Sequence, residues 1–222
     1  MCGKFTQMFT WAEVHAFSQP LVIKAEGDQV VTSTPMRMAH IMRLDETGAR
    51  VMNPMRWGFS KKSAKAPVRP DHMHARAETV DTLPTFAPAF AASRGVLMVH
   101  TFNEGEELPN GRTKQWVITP KDGEPIAIAV ICERWTNETE DLWTFVQVTT
   151  PANTLIRPIT DRMPAILRRA DLPVWLGEID APAAAIKALL ATYEDDGAWD
   201  IAPQASGKPP RPAGGGAQAD LF

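Results

Sequence analysis

Short apolar runs separated by turn residues recur along most of this chain, and this pattern constrains the fold most. Segments 29–35, 39–44, 49–58, 95–102, 115–119, 126–131 and 142–149 are rich in β-branched and aromatic residues, as is typical of strands. Segment 45–48 indicates a hairpin between two of these runs, and segment 120–123 indicates a further turn. We therefore predict one α+β domain over residues 1–200 with many short strands.

Two segments, 8–17 and 181–190, are predicted as short helices, and the second has Pro182 in its first turn, where proline is favoured. After Pro203 the composition changes to a run of proline and glycine that cannot bury a core. We expect residues 201–222 to form a disordered tail. Its last two residues are large and apolar, which is typical of a short docking motif.

Composition excludes several classes of protein. The 222-residue chain has a net charge of −3, so any DNA-binding surface must be a local patch. Two cysteines are too few for a disulfide framework or a cysteine zinc site. No apolar run approaches the roughly 20 residues of a membrane span, and the start lacks a signal-peptide core. We expect a cytoplasmic protein that does not associate with membranes.

Cys2 directly follows the initiator methionine. Removal of that methionine would leave a free α-amine and a thiol on neighbouring carbons. Their ordinary pKa values, about 7.7–8.0 and about 8.5, leave usable nucleophilic fractions near neutrality. Such a pair suits an aldehyde, because the amine forms a Schiff base and the thiol closes it to a thiazolidine. The alternative is an ordinary buried cysteine near a disordered start.

Six short motifs follow one another along residues 1–180: MCGKFTQ at the start, RWG at 56–58, ARAET at 75–79, PKDGEP at 120–125, TTPAN at 149–153 and DRMP at 161–164. In this order and spacing they resemble the SRAP family, the SOS response-associated peptidase-like proteins that cross-link to abasic sites in single-stranded DNA. The resemblance implies an α+β domain around a barrel-like β-core with flanking short helices. It also implies aminothiol–aldehyde chemistry without a metal or organic cofactor.

The resemblance assigns two catalytic roles. Cys2 matches the nucleophile, and Glu104 matches a glutamate that exchanges protons with the terminal amine. For Glu104 the alternative is a solvated turn residue.

Two positions depart from the family pattern. His74 stands where the family usually has asparagine, and Thr160 stands where a histidine is expected. Threonine cannot act as a general base near neutrality, whereas an imidazole has an ordinary pKa of about 6.5. We hypothesise that His74 has taken over the proton transfer lost at Thr160. The alternative is a hydrogen-bonded structural histidine.

The resemblance also implies a DNA-binding surface that includes Arg76, Arg162, Arg56 and Trp57. Arginines bind phosphates through paired hydrogen bonds, and an aromatic face can stack on an unpaired base. The alternatives are surface salt bridges for the arginines and core packing for Trp57. Lys4 replaces a usual arginine and keeps only its charge.

The final residues, QADLF, resemble the pentapeptide that binds the bacterial sliding clamp. Leu221 and Phe222 would fill an apolar pocket, and Gln218 would hydrogen-bond at its rim. The alternative is a terminus without a role.

The sequence thus predicts a DNA-damage protein that cross-links to abasic sites in single-stranded DNA and docks on the clamp. Two rivals stay open, and with them the question of whether the chain is an enzyme. One is a non-catalytic, clamp-tethered binding module, which Thr160 favours. The other is a thiol peptidase whose N-terminal cysteine is exposed by self-cleavage.

Overall fold

The computed structural model describes residues 3–7, 17–18, 31–60, 70–136, 141–194 and 196–204. Strands predominate in these ranges: β1 Lys4–Gln7, β2 Val31–Ser33, β3 Met38–Leu44, β4 Arg50–Trp57, β5 His74–Arg76, β6 Arg94–Val99, β7 Thr101–Glu107, β8 Thr113–Pro120, β9 Ile126–Thr136, β10 Asp141–Pro151, β11 Arg162–Pro164, β12 Ile166–Leu167 and β13 Trp199–Pro203. The helices are short: α1 Ala87–Ala92, α2 Leu172–Leu176 and α3 Ala183–Ala188, with 3-10 turns at Arg169–Asp171 and Asp196–Ala198. The predicted α+β class is confirmed.

Five strands close into a ring. In the larger sheet the order is β11-β10-β4-β3-β6-β9-β12, and β10 also pairs with β9. Strands β4, β3, β6, β9 and β10 therefore form a small barrel. Its closure is visible at Phe145, which is the register partner of Trp57 on one side and of Cys132 on the other. A second sheet, in the order β13-β8-β7-β1-β2, packs against this barrel.

Alternation along the barrel strands separates two cores. On β10, Val146 and Val148 face a core that contains residues of α1, α2 and α3, which cover the outside of the barrel. Phe145, on the other face of β10, joins the inner core, to which the second sheet contributes Phe5 and Phe102. Inward-facing residues of the barrel and of the second sheet therefore meet in one interior.

The hairpin predicted at 45–48 is confirmed. The Asp45 carboxylate accepts hydrogen bonds from the backbone N–H groups of Thr47 at 2.9 Å and Ala49 at 3.0 Å. Gly48 has a φ of 81°, a conformation that glycine adopts without the penalty of a side chain.

The prediction of one strand over 95–102 is wrong. β6 ends at Val99 and β7 begins at Thr101, and the two strands belong to different sheets. His100 lies between them and donates its backbone N–H to the Thr6 carbonyl at 2.9 Å. An apolar run cannot show this change of sheet, because both strands bury apolar residues in the same interior.

The predicted helix 181–190 is present as the shorter α3, with Pro182 as its N-cap. The predicted helix 8–17 lies almost wholly outside the described residues. The predicted domain boundary at residue 200 falls within β13, and residues 205–222 lie outside the described part of the chain. Among the described residues no helix is long and apolar enough to cross a membrane.

Candidate functional site

Glu104 is a buried carboxylate in the middle of β7. Its side chain is 0% exposed and lies on the same strand face as Phe102, which belongs to the inner core. The pKa of the Glu104 carboxyl is raised to about 7, chiefly because burial disfavours the charged form; the positive charge of the amino terminus opposes this shift and the Asp161 carboxylate adds to it. Glu104 is therefore not a solvated turn residue. It is buried, and β7 continues to Glu107 before the chain turns.

The start of the chain runs alongside Glu104. β1 pairs antiparallel with β7, with Lys4 opposite Asn103 and Phe5 opposite Phe102. Phe5 is fully buried, which anchors this register. Cys2 itself lies outside the described residues. The backbone that leads to it nevertheless begins one register position from Glu104.

Trp57 belongs to the core rather than to the surface. It is 0% exposed, its indole N–H donates to the Met73 carbonyl at 2.9 Å, and its ring lies 5.2 Å from the Phe5 ring and 6.2 Å from the Phe145 ring. The core-packing interpretation of Trp57 fits this environment. The Trp57 ring also contacts the imidazole of His74 edge-on, with the centroids 5.7 Å apart, and so supports that histidine.

His74 begins β5 and is the register partner of Gln147 on β10. Gln147 is 0% exposed and shares its strand face with Phe145. Within the described part of the chain, neither the amide oxygen nor the amide nitrogen of Gln147 makes a hydrogen bond. Leaving a buried polar group unsatisfied costs about 1–3 kcal/mol. The sequence prediction missed this residue; its signal is a long polar side chain between Val146 and Val148 in a stretch of β10 that is fully buried.

Arg162 and Arg76 flank β10 on opposite sides. Arg162 binds both oxygens of the Glu78 carboxylate and donates to the Thr149 carbonyl at 2.6 Å. These hydrogen bonds to Arg162 are the main cause that lowers the pKa of Glu78. Arg76 is the register partner of Thr149 and is exposed. Arg76 thus presents its charge to solvent. Arg162 instead forms a salt bridge with Glu78, which is the alternative to DNA binding that the sequence left open for this residue.

Arg56 and Lys4, the remaining predicted cations, lie on β4 and β1. Arg56 is 8% exposed, hydrogen-bonds to Ser60 and lies on the opposite face of β4 from Trp57. Lys4 lines a cavity of about 440 Å³ together with Gly105, where β7 carries no side chain.

Thr160 and Asp161 immediately precede β11. Thr160 is partly exposed, and its backbone N–H donates to the Ile156 carbonyl at 3.1 Å. The influence of the Asp161 carboxylate on Glu104 places this segment near the buried acid. The position that lacks the expected histidine is thus adjacent to a residue that affects Glu104.

The other cysteine does not offer a nucleophile. Cys132 is 1% exposed in the inner core, and burial raises the pKa of its thiol to about 12. Among the described residues, no three His, Cys, Asp or Glu side chains lie close enough together to hold a metal ion.

Comparisons with known proteins identify relatives of this chain. The SRAP family, described as SOS response associated peptidase, matches residues 1–204. The chain is similar to the abasic site processing protein YoqW of Bacillus subtilis (strain 168), with 26% identity over 199 residues that cover 88% of this chain and 89% of the relative. It is also similar to the abasic site processing protein YoaM of the same organism, with 25% identity and 88% coverage of each chain.

Solved structures share the fold. A protein from Bordetella bronchiseptica superposes with a TM-score of 0.75 at 24% identity and covers 91% of this chain and 99% of its own. A protein from Bacteroides thetaiotaomicron gives a TM-score of 0.77 at 20% identity, with 92% and 93% coverage. Likeness at this level of identity establishes the fold alone.

Proposed function

The chain belongs to the SRAP family, and from that membership we propose that it binds single-stranded DNA and processes abasic sites by forming a covalent cross-link through Cys2. The relatives YoqW and YoaM are named as abasic site processing proteins. An abasic deoxyribose opens to an aldehyde, which is the electrophile that an N-terminal aminothiol captures.

The proposed reaction is a condensation. The α-amine of Cys2 attacks the aldehyde carbon and forms a carbinolamine, which loses one water to give a Schiff base. The thiol then adds across the C=N bond: the C–S bond forms and the thiol proton ends on the nitrogen. One water leaves in total, and the product is a thiazolidine.

The observation that carries this proposal is the raised pKa of the buried Glu104 carboxyl. A carboxyl group with a pKa of about 7 is present in both protonation states near neutrality. It can accept a proton from the terminal ammonium and return one to the departing hydroxyl, which is efficient when the pKa lies near the working pH. The pairing of Lys4 with Asn103 leads the start of the chain to this carboxyl.

A gel experiment tests the proposal. Wild-type protein incubated with single-stranded DNA containing an abasic site is expected to give a shifted band under denaturing conditions, and Cys2→Ala is expected to give none. Equal bands from both proteins, or no band from either, would contradict cross-linking through Cys2.

The second candidate is a non-catalytic module that binds damaged single-stranded DNA. Thr160 favours it, since the side chain at this position beside Asp161 cannot transfer protons near neutrality. Wild-type binding of abasic DNA without any covalent product would support this candidate.

We also propose that the C-terminal residues dock on the sliding clamp. Gln218, Leu221 and Phe222 have the spacing of the clamp-binding pentapeptide, and the preceding proline- and glycine-rich segment suits a tether that raises the effective concentration of the domain at DNA. A pull-down with purified clamp is expected to retain the wild type and to lose a Leu221→Ala, Phe222→Ala double variant. Equal retention would contradict docking.

A further inference from the structure

Gln147 places an unused hydrogen-bonding group inside the barrel. Its side chain is 0% exposed, and in the described residues neither amide atom has a hydrogen-bond partner. Buried side-chain amides in proteins almost always have hydrogen-bond partners, because a donor or acceptor that is buried without a partner loses its hydrogen bonds to water and gains none in their place. The position therefore suits a polar ligand that brings its own donor and acceptor.

The neighbours of Gln147 belong to the candidate site. Across the parallel β5–β10 pair its partner is His74, whose ring rests on Trp57. Two residues further along β10 is Thr149, on the same strand face, whose carbonyl and hydroxyl oxygens both accept hydrogen bonds from Arg162. Gln147 thus lies beside a group suited to proton transfer and two residues from a threonine that Arg162 holds.

We propose that Gln147 is a specificity-determining residue that binds the ring-opened form of the abasic deoxyribose. This inference rests on the proposed function. In the opened sugar, C4 carries a hydroxyl group that can donate to the amide oxygen, and the C1 oxygen can accept from the amide nitrogen. In the closed sugar the C4 oxygen is part of the ring and has no proton to donate. The amide of Gln147 therefore favours the reactive, opened form.

Two abasic analogues separate recognition of the open sugar from the covalent step. Borohydride-reduced abasic DNA is permanently open, with a hydroxyl at C1, and has no aldehyde to react. The tetrahydrofuran analogue is permanently closed. Wild-type protein is expected to bind the reduced oligonucleotide about tenfold more tightly than the tetrahydrofuran oligonucleotide, as the two hydrogen bonds permit. Gln147→Met keeps the length of the side chain and is expected to abolish this preference.

Thr150→Val is the matched control. Thr150 is 1% exposed on the outer face of β10, and its hydroxyl also lacks a hydrogen bond in the described residues. Both substitutions remove an unsatisfied buried polar group, so neither is expected to lower the melting temperature. Only Gln147→Met is expected to change the preference between the two oligonucleotides, and Gln147→Leu provides a second variant should the methionine protein not fold.

A preference for the reduced oligonucleotide that persists in the Gln147 variants would overturn the proposal. Equal binding of both analogues by the wild type would also overturn it, and this is the result expected if a buried water satisfies the amide. The gel assay with reactive abasic DNA, run in parallel, keeps the two claims apart. A Cys2-dependent band, together with the same binding preference in wild type and in the Gln147 variants, would contradict only the role of Gln147. Absence of the band from wild-type protein would contradict the proposed cross-linking.

Discussion

Lys4 on β1 is the register partner of Asn103 on β7, so the first strand of the chain lies one residue from the buried carboxyl of Glu104. This pairing connects two strands that are about a hundred residues apart in sequence. It leads the first strand toward Glu104, and burial raises the pKa of that carboxyl to about 7.

Glu104→Gln tests the proton-transfer role. The amide is nearly isosteric but cannot exchange protons, so we expect the rate of cross-linking to fall about 10²-fold. Binding of undamaged single-stranded DNA should not change. Glu107→Gln, an exposed residue on the same strand, is the matched control and should react at the wild-type rate. Equal rates for both variants in a single-turnover gel assay would remove Glu104 from the mechanism.

The same carboxyl should make the stability of the fold depend on pH. Because the folded-state pKa is raised from 4.5 to about 7, the folded protein holds this proton more tightly than the unfolded chain. The resulting stabilisation is fully present below about pH 4.5 and is lost as the pH rises through 7.

Glu104→Gln has no such proton to lose. Its free energy of unfolding, relative to wild type, should therefore increase by up to about 3 kcal/mol between pH 4.5 and pH 8. Urea unfolding at several pH values measures this difference. A difference that does not vary with pH would show that the carboxyl titrates normally.

Arg76→Ala tests the exposed cation at the rim of the site. If Arg76 contacts one phosphate, its loss should weaken binding of single-stranded DNA of any sequence. The slope of log K against log salt concentration should also become shallower by about 0.7. Arg134→Ala removes another exposed arginine, which pairs with Asp141 at the far end of β10, and should leave the slope unchanged. Equal slopes for wild type and Arg76→Ala in fluorescence anisotropy titrations would contradict the contact.

His74→Ala tests whether the imidazole has replaced the side chain missing at Thr160. We expect a lower cross-link yield at short times, because proton transfer slows. His72→Ala is the control, since His72 is exposed and its ring contacts Phe86 rather than Trp57. An undiminished yield for His74→Ala would make this residue a structural histidine.

Local patterns predicted much of the barrel. The run at 126–131 corresponds to the first part of β9, where every residue is buried, because a strand buried on both faces needs apolar side chains at every position. The run at 39–44 corresponds to β3, in which the apolar Ala39, Ile41 and Met42 are the buried residues. The turn at residues 45–48 between β3 and β4 could also be predicted from the local sequence, because its last residue, Gly48, takes a positive φ.

Long-range relationships were not readable in this way. The break at His100 follows from a change of sheet, and the burial of Glu104 follows from the extension of β7 beyond that break. The bidentate pair of Arg162 and Glu78 joins residues 84 positions apart. Such contacts depend on strand order, which no local periodicity encodes.

The most direct measurement is the identity of the residue that carries the DNA adduct. Wild-type protein cross-linked to a short abasic oligonucleotide, digested and examined by mass spectrometry, should yield a modified N-terminal peptide that begins at Cys2. Its mass should equal peptide plus the abasic fragment minus one water, and the thiol should no longer react with iodoacetamide. An adduct on a lysine, a Cys2 thiol that remains alkylatable in the adduct, or an unmodified N-terminal peptide throughout would contradict the account.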